Sequence, residues 1–537
     1  MNNTPKTIKK EKNIGKKFNT MLLILSCVLS LVFSFFYYQN KLNISYNDAR
    51  SHLDIGKRVV DGLQPGLAQL GSVWLPLPHI LMTITIWNDF MWHSGLAGTI
   101  FSMLSYVGIV FFILKFLNQL DVDIWGKMAA FGIFAFNPNI LYLQSTPMTE
   151  LLLLLTMLAG VYYFLLWLKN NSNILLIKSA LWIMLSTLIR YDGWFLFIWA
   201  TLILTVYSFR NRNWKITEGR IFLFTSVAGF GILLWFIWNY IIFNNALYFM
   251  FGPYSAHSQQ ETFAQEGLLS TKGNLLLSIK TYLYAVILNS GKYVSFLGIL
   301  GALLLAVNAR KKPISLYVFL LLLTPVIFNI LALYLGHSIL FIPGFNGMKD
   351  WFNIRYGVMA IPSLAIFGGF LLGKINENWL KLILLLLLFF NLTVNLTKEP
   401  VTVADAKFGK SQKNIDAVAK WLHENTKNND GLILISAASH DSIIFSSNLP
   451  MRKFIHEGVN LIWPKATNNP EKWARWIVLM PEKARKSDFL WQAINKKDKL
   501  RHYHPVATFP SITIFQLDDS FFKKIKDKTN QIYHDKE

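Results

Sequence analysis

The chain has 537 residues, 53% of them hydrophobic and 15% aromatic but only 15% charged, and its mean hydropathy is +0.36. Soluble domains carry about a quarter charged residues, so a soluble globular enzyme is excluded, and 42 Phe, 18 Trp and 20 Tyr exclude a disordered chain. What remains is a polytopic α-helical membrane protein, whose single cysteine, Cys27, provides neither an intrachain disulfide nor a cysteine-based metal or redox site, and whose net charge of +22 matters for its distribution along the chain.

Residues 1–19 form a basic tail with Lys6, Lys9, Lys10, Lys12, Lys16 and Lys17. The transmembrane part is expected over 20–397. Apolar runs at 21–38, 94–114, 128–148, 151–168, 174–189, 193–209, 221–243, 293–309, 314–335, 356–373 and 382–397 predict eleven spans. The run at 174–189 includes Lys178, which can snorkel from near a helix end. The first run lacks a small-residue cleavage site and is read as a retained helix.

With the amino terminus in the cytoplasm, Arg210, Arg212, Lys215, Arg220, Arg310, Lys311 and Lys312 all fall inside, as the positive-inside rule requires. The outer side then receives the loops 39–93, 244–292 and 336–355 and the segment 398–537. Residues 73–88 are apolar, but Pro76 and Pro78 and the parity of the loops favour a short helix lying in the outer interface, with Trp74, Trp87 and Trp92 as anchors. Beyond 398, a helix over 414–426 and strands over 431–436, 476–480 and 511–517 predict a small α/β domain outside the membrane.

Charged residues at the outer ends of these apolar runs are the candidates for chemistry. Asp48 follows the first span, Glu150 opens the fourth, Arg190 and Asp192 join the fifth to the sixth, and Arg355 and Tyr356 open the tenth. At helix ends a charge costs less than the ~2.5–3.5 kcal/mol of mid-membrane depth. Each of these groups could equally serve as a cap or a headgroup anchor, and Asp54 and Asp61 repeat the pattern of Asp48. His52, four residues after Asp48, could share a divalent cation with it, but two ligands fall short of a metal signature.

The stretches Asn47-Asp48-Ala49-Arg50, Pro65-Gly66-Leu67-Ala68-Gln69-Leu70-Gly71 and Trp74-Leu75-Pro76-Leu77-Pro78-His79 resemble the first outer loop of membrane glycosyltransferases of the GT-C fold. The resemblance is to the branch related to dolichyl-phosphate-mannose protein mannosyltransferases and lipid A aminoarabinose transferases. Thr146 to Glu150, Arg190-Tyr191-Asp192-Gly193-Trp194, Asn353 to Gly357, Ser439-His440-Asp441 and Ile455-His456-Glu457-Gly458 extend it over essentially the whole chain.

The resemblance implies transfer of a sugar, mannose-like hexoses included, from a polyprenyl-phosphate carrier to an acceptor on the outer face of the cell (inner) membrane, with inversion. It implies Asp48 as general base and Glu150 as its assisting acid. Arg355 is the match for the donor-phosphate contact, with Arg190, Asp192 and Tyr356 beside it. His79 stands where the lipid A branch carries a Lys-Pro-Pro motif. Neither a nucleic acid nor a nucleotide donor is implied, and no glycine-rich phosphate loop is present; a divalent cation is the one possible cofactor. A multispan transporter or flippase, and a polysaccharide polymerase or ligase, are the alternatives.

Overall fold

The computed structural model describes residues 5–211, 214–252, 255, 257, 260, 264, 267–310, 312–346, 349–409, 415–494 and 497–522. Arg212, Lys311 and the first residue of the helix expected at 414 lie outside them. The chain divides into two compact units.

The first unit comprises residues 1–46, 72–78 and 98–412 and is helical. It contains α1 (Pro5–Gln39), α5 (Leu96–Gln119, from its third residue), α6 (Ile124–Ala135), α7 (Pro138–Leu143), α8 (Glu150–Asn170), α9 (Asn173–Thr187), α10 (Asp192–Asn211), α11 (Trp214–Ala228) and α12 (Phe230–Phe243). Further helices follow at Leu275–Ser290, Lys292–Asn308, Ile314–Leu322, Thr324–Tyr334, Ile361–Lys374 and Asn378–Leu396.

Among the described residues, six helices are long and apolar enough to cross a membrane, or nine if each bent pair is one span. The bends are 45° between α11 and α12, 46° between Ile314–Leu322 and Thr324–Tyr334, and 115° between Leu275–Ser290 and Lys292–Asn308. Two of the runs expected to span are short. Asn173–Thr187 falls below spanning length, and the run 128–148 breaks where Asn137 leaves the helix and caps α7, accepting from the backbone N–H groups of Asn139 and Ile140.

Close helix packing fixes the centre of this unit. The helix Ile361–Lys374 is clasped on one side by α6 and on the other by Lys292–Asn308. A Cβ on Gly126 would stand 2.3 Å from the Gly369 carbonyl oxygen, and one on Gly301 would stand 2.0 Å from that of Phe367. Such approaches are the membrane use of small residues, whose backbones come together through dispersion. The clasped helix thereby fixes the 3₁₀ turn Ile354–Ala360 that leads into it.

The second unit comprises residues 47–71, 79–97 and 413–537. The expected division into 1–19, 20–397 and 398–537 differs from these two units in one respect: most of the first outer loop, including α4 (Asp89–His93) and α3 (Leu77–Met82) from its third residue, is grouped with the carboxyl-terminal segment. Its sheet has the order β2-β1-β3-β5-β4, formed by β1 (Ile433–Leu434), β2 (Phe454–Ile455), β3 (Trp476–Leu479), β4 (Tyr503–Thr508) and β5 (Thr513–Leu517). β1 runs parallel to β2 and β3, and β5 antiparallel to β3 and β4, with Ile477 opposite Phe515 and Val478 opposite Ile514.

Three strands fall where the sequence placed them. β2 is too short to alternate, and β4 is an edge strand that carries Pro505 at a register shift, where a missing N–H is tolerated. The core combines Leu434, Ile455, Ile477, Leu479, Phe515 and Leu517 with Leu490 and Ile494, and Leu63 of the first outer loop joins it.

α2 (Asn47–Val60) packs on the helix Ala437–Ser446 of this unit. Ser51 donates to Asp441 and Ser442 to the Asn47 side chain. Glu457 caps that second helix by accepting from Ser436 and from the Ala437 N–H, the latter at 2.8 Å. The His-Glu-Gly stretch at 456–458 thus shapes the support of α2.

Candidate active site

In the first unit, residues from three separated stretches meet in one buried charge cluster. Glu150 is the first residue of α8 and Asp192 the first of α10, where the partial positive charge of a helix N-terminus suits a carboxylate. Glu150 is fully buried. Its Oε1 accepts from Arg355 Nε at 3.0 Å and lies 3.5 Å from Arg190 Nη1, while Arg190 Nε lies 3.4 Å from Asp192 Oδ2. The Tyr356 ring lies beneath both guanidinium groups, 5.3 Å from Arg190 and 5.4 Å from Arg355. Two guanidinium groups therefore share two carboxylates.

Burial disfavours the charge on Arg190, but the neighbouring carboxylates of Asp192 and Glu150 outweigh it and hold the guanidinium protonated. Arg355 is 3% exposed at its side chain and Arg190 23%, so Arg190 presents the accessible edge of the cluster. Glu150 Oε2 is buried with no hydrogen-bond partner among the described residues. Buried carboxylate oxygens are normally satisfied, so this one marks a place for a donor.

Three features of this cluster were not read from sequence. Tyr46 lies 4.9 Å from the Arg355 guanidinium and donates its hydroxyl to Asp405 at 3.1 Å; burial first, and the Asp405 charge second, push its phenol well above the ordinary value. Gly357 is the closest approach of the Arg355 turn to its neighbour, since a Cβ there would stand 2.4 Å from the Ala285 carbonyl oxygen. Asn289, just before the 115° bend, donates to the Ala285 and Ile354 carbonyls at 2.8 Å and accepts on its own carbonyl from Asn137 and Asn139. Only the Asn-Pro-Asn spelling at 137–139 hinted at a polar junction there.

The proline-rich segment 72–78 also serves this cluster. Leu77 N–H donates to the Leu188 carbonyl at 3.0 Å, and the Tyr191 hydroxyl donates to that of Val73 at 3.3 Å. Leu75 is buried with Trp235 and Phe249 against Tyr191 and Trp194. The turn carrying Arg190 and Asp192 is thereby braced.

Asp48, His52 and His79 belong to the second unit. Asp48 stands half-buried in the first turn of α2. The three loop carboxylates that look alike in sequence differ in the fold. Asp54 is fully buried and accepts from Trp92 Nε1 at 3.0 Å, while Asp61 pairs with Lys57 at 3.6 Å and lies 4.0 Å from Arg452. Burial drives the Asp54 carboxyl well above the usual carboxylate range, against the lowering influence of Arg58. Trp92, expected as an interfacial anchor, is instead wholly buried over Asp54.

His79 is buried with its Nε2 2.9 Å from His52 Nδ1. It falls in a different unit from the arginine cluster, and its packing partner is another histidine. Among the described residues, no group of three or more His, Cys, Asp or Glu side chains is arranged to hold a metal ion.

The structural neighbours assign the fold class: it is the GT-C type, as the sequence resemblance implied. The chain is similar in structure to ArnT from Cupriavidus metallidurans bound to undecaprenyl phosphate, with a TM-score of 0.55, 12% identity, and coverage of 94% of this chain and 99% of that one. The same enzyme in the apo state gives 0.54 at 12% identity over the same shares. The oligosaccharyltransferase of Archaeoglobus fulgidus in complex with Zn and sulfate gives 0.51 at 13% identity, covering 91% of this chain and 72% of that one. No protein-family model matches the chain, and no curated protein matches it in sequence.

Proposed function

We propose that this protein is an integral-membrane glycosyltransferase that moves a sugar, of the mannose-like hexose class, from a polyprenyl-phosphate donor to an acceptor on the outer face of the cell membrane, with inversion. The observation that carries the proposal is the buried cluster of Glu150, Arg190, Asp192 and Arg355. The neighbour crystallised with undecaprenyl phosphate supports the donor class.

In this reading the chain crosses the membrane eleven times, with the amino terminus in the cytoplasm and the sheet-bearing segment outside. The donor phosphate meets the open edge of Arg190, backed by Arg355, because planar guanidinium groups bind phosphate oxygens bidentately. The glycosidic C–O bond to phosphate breaks as the acceptor oxygen bonds to the anomeric carbon, and the carrier leaves as a phosphate monoester needing charge stabilisation more than a proton. Asp48 takes the acceptor proton. Glu150 keeps the two arginines in place and offers Oε2 to a hydroxyl of the donor sugar or the acceptor.

The test is direct: purified protein in lipid, a synthetic polyprenyl-phosphate hexose with the sugar labelled, and outer-surface glycans of the source cells as acceptors. Labelled product of inverted anomeric configuration supports the reading. Translocation of intact donor without cleavage would favour the flippase alternative. A parallel assay with chelator reads whether a divalent cation, for which Asp48 and His52 are the proposed pair, takes part.

A further inference from the structure

The two helices whose first residues belong to the charge cluster carry a second polar group at their other ends. Glu150 opens α8 and Trp167 lies in its last turn; Asp192 opens α10 and Ser208 lies in its last turn. At 1.5 Å of rise per residue, about 25 Å of helix separates the two ends. Trp167 and Ser208 are wholly buried there, and Arg220 of α11 is buried with its guanidinium 5.5 Å from the Trp167 ring. Tyr207 joins the helices: its ring lies 5.3 Å from that of Trp167, and its hydroxyl donates to the Leu168 carbonyl at 3.0 Å.

Trp167 Nε1 and Ser208 Oγ are buried with no hydrogen-bond partner among the described residues. Other side chains of α10 show what such groups ordinarily do. Thr201 and Thr205 close onto the carbonyls of Phe197 and Thr201 at 2.7 and 2.9 Å, the usual local bond of a helical hydroxyl. The Trp194 and Trp199 indoles donate to the Thr187 and Leu320 carbonyls at 2.8 and 3.1 Å. Ser208 makes no such local bond and Trp167 finds no such carbonyl, although a buried donor left unmade is costly.

We infer that this end of α8, α10 and α11 is a binding site for a phosphate group, with the Trp167 N–H, the Ser208 hydroxyl and the Arg220 guanidinium as its donors. An indole N–H and a guanidinium can only donate. A water would have two lone pairs for them and two protons of its own to place, whereas a phosphodiester brings acceptor oxygens, a negative charge and no proton. Side chains of a helix lean toward its first residue, so Arg220 reaches back to the surface at which α11 begins. Phe209 and Trp214 stand exposed at that surface with their rings 6.2 Å apart, an aromatic rim of the kind found at a membrane interface. A phospholipid with its headgroup on the donors and its chains along the rim matches both parts. On the topology proposed above this is the cytoplasmic leaflet, opposite the reaction; the site itself does not depend on that reading. A soluble phosphate presents the same chemistry, and the test separates the two sources.

The experiment is native mass spectrometry of the full chain released from vesicles of phosphatidylglycerol and phosphatidylcholine in equal parts. The parent is expected to retain one phosphatidylglycerol in preference to phosphatidylcholine. Trp167→Phe, which keeps the ring and loses the donor, and Ser208→Ala are each expected to weaken that retention about tenfold, the effect of one hydrogen bond to a charged group. Lys215→Gln removes an exposed charge from the first turn of α11 and is expected to leave retention unchanged.

A second measurement reads the source of the phosphate. Melting curves in phosphatidylcholine alone are compared with inorganic phosphate and with chloride at equal ionic strength. A rise in Tm with phosphate in the parent but not in Trp167→Phe or Ser208→Ala, without a preference for phosphatidylglycerol, supports the site and assigns it to a soluble phosphate. Equal retention of the two lipids with no response to phosphate overturns the site and leaves a buried water in its place. So does retention that is the same in the parent, Trp167→Phe and Ser208→Ala, or that falls as far in Lys215→Gln as in Trp167→Phe. Ser208→Ala, which removes a single buried oxygen, decides the outcome if Trp167→Phe fails to fold.

Discussion

Glu150→Gln tests the cluster most severely, because it preserves shape and removes the charge toward which two guanidinium groups converge. Arg355 Nε is 3.0 Å from Oε1 and Arg190 Nη1 3.5 Å. At an effective dielectric of about 20 these separations correspond to gross attractions of about 5.5 and about 4.7 kcal/mol. Asp192, 3.4 Å from Arg190, compensates that side of the loss. The Tyr46 and Tyr356 faces beside Arg355 return at most about 2 kcal/mol. Breaking a buried pair from one side costs about 3–5 kcal/mol, and that is the expected loss of stability.

The assay for that loss is equilibrium unfolding in mixed micelles, with Glu150→Gln, Arg355→Gln and the double variant compared. Removing both partners strands no charge, so the double variant is expected to regain more than about 1 kcal/mol relative to the sum of the singles. A Glu150→Gln protein within about 0.5 kcal/mol of the parent, or strictly additive singles, would refute the ion-pair account and leave Glu150 a simple helix-end carboxylate.

Three further outcomes are expected. Asp48→Asn should lower turnover by about 100- to 10,000-fold with donor affinity retained, measured with a labelled polyprenyl-phosphate hexose; near-parental turnover removes Asp48 as base. Asp54 makes the opposite case: its raised folded pKa means the folded state holds the proton more tightly than the unfolded one. Stability from burying the neutral acid is therefore present below the unfolded value of about 3.9 and lost as pH rises through the folded pKa. Asp54→Asn, which keeps the neutral form, should gain stability relative to the parent as pH rises from about 4 toward 8, read by melting curves at several pH values; a pH-independent difference contradicts the burial account. Finally, Ser520→Cys in the Cys27→Ser background should react with a membrane-impermeant thiol reagent on intact cells, and reaction only after lysis inverts the proposed topology.

Sidedness was the part of the site most legible in the sequence. Counting apolar runs and basic loops puts Glu150, Arg190, Asp192 and Arg355 at one membrane surface, and the fold brings these four within ion-pair distance. The pairing was not legible, since it depends on approaches such as Gly357 on Ala285 and Gly369 on Gly126 that leave no periodic trace. Hydropathy also treated 128–148 as one helix, because Asn137-Pro138-Asn139 is a small polar interruption by composition but a complete stop and restart by capping. Asp48, Asp54 and Asp61 could not be told apart by spacing: Trp92 covers one, Lys57 and Arg452 approach another, and these partners come from elsewhere in the chain.

The balance of charge in the cluster has a consequence for any donor that passes through it. Arg190 and Arg355 are already offset by Glu150 and Asp192, so an incoming phosphodiester with one negative charge finds guanidinium donors that must be shared. On the proposed reaction the carrier phosphate becomes a monoester, with charge nearer two than one at neutral pH. An arginine pair free of carboxylates would bind that product more tightly than the substrate and retain it, whereas a pair held by Glu150 gives up part of its attraction in both states. Tightening substrate and transition state by the same increment adds nothing to the rate of the chemical step, and tightening the product slows its release. The carboxylate at the start of α8 therefore fits a site through which a charged lipid must arrive, react and leave.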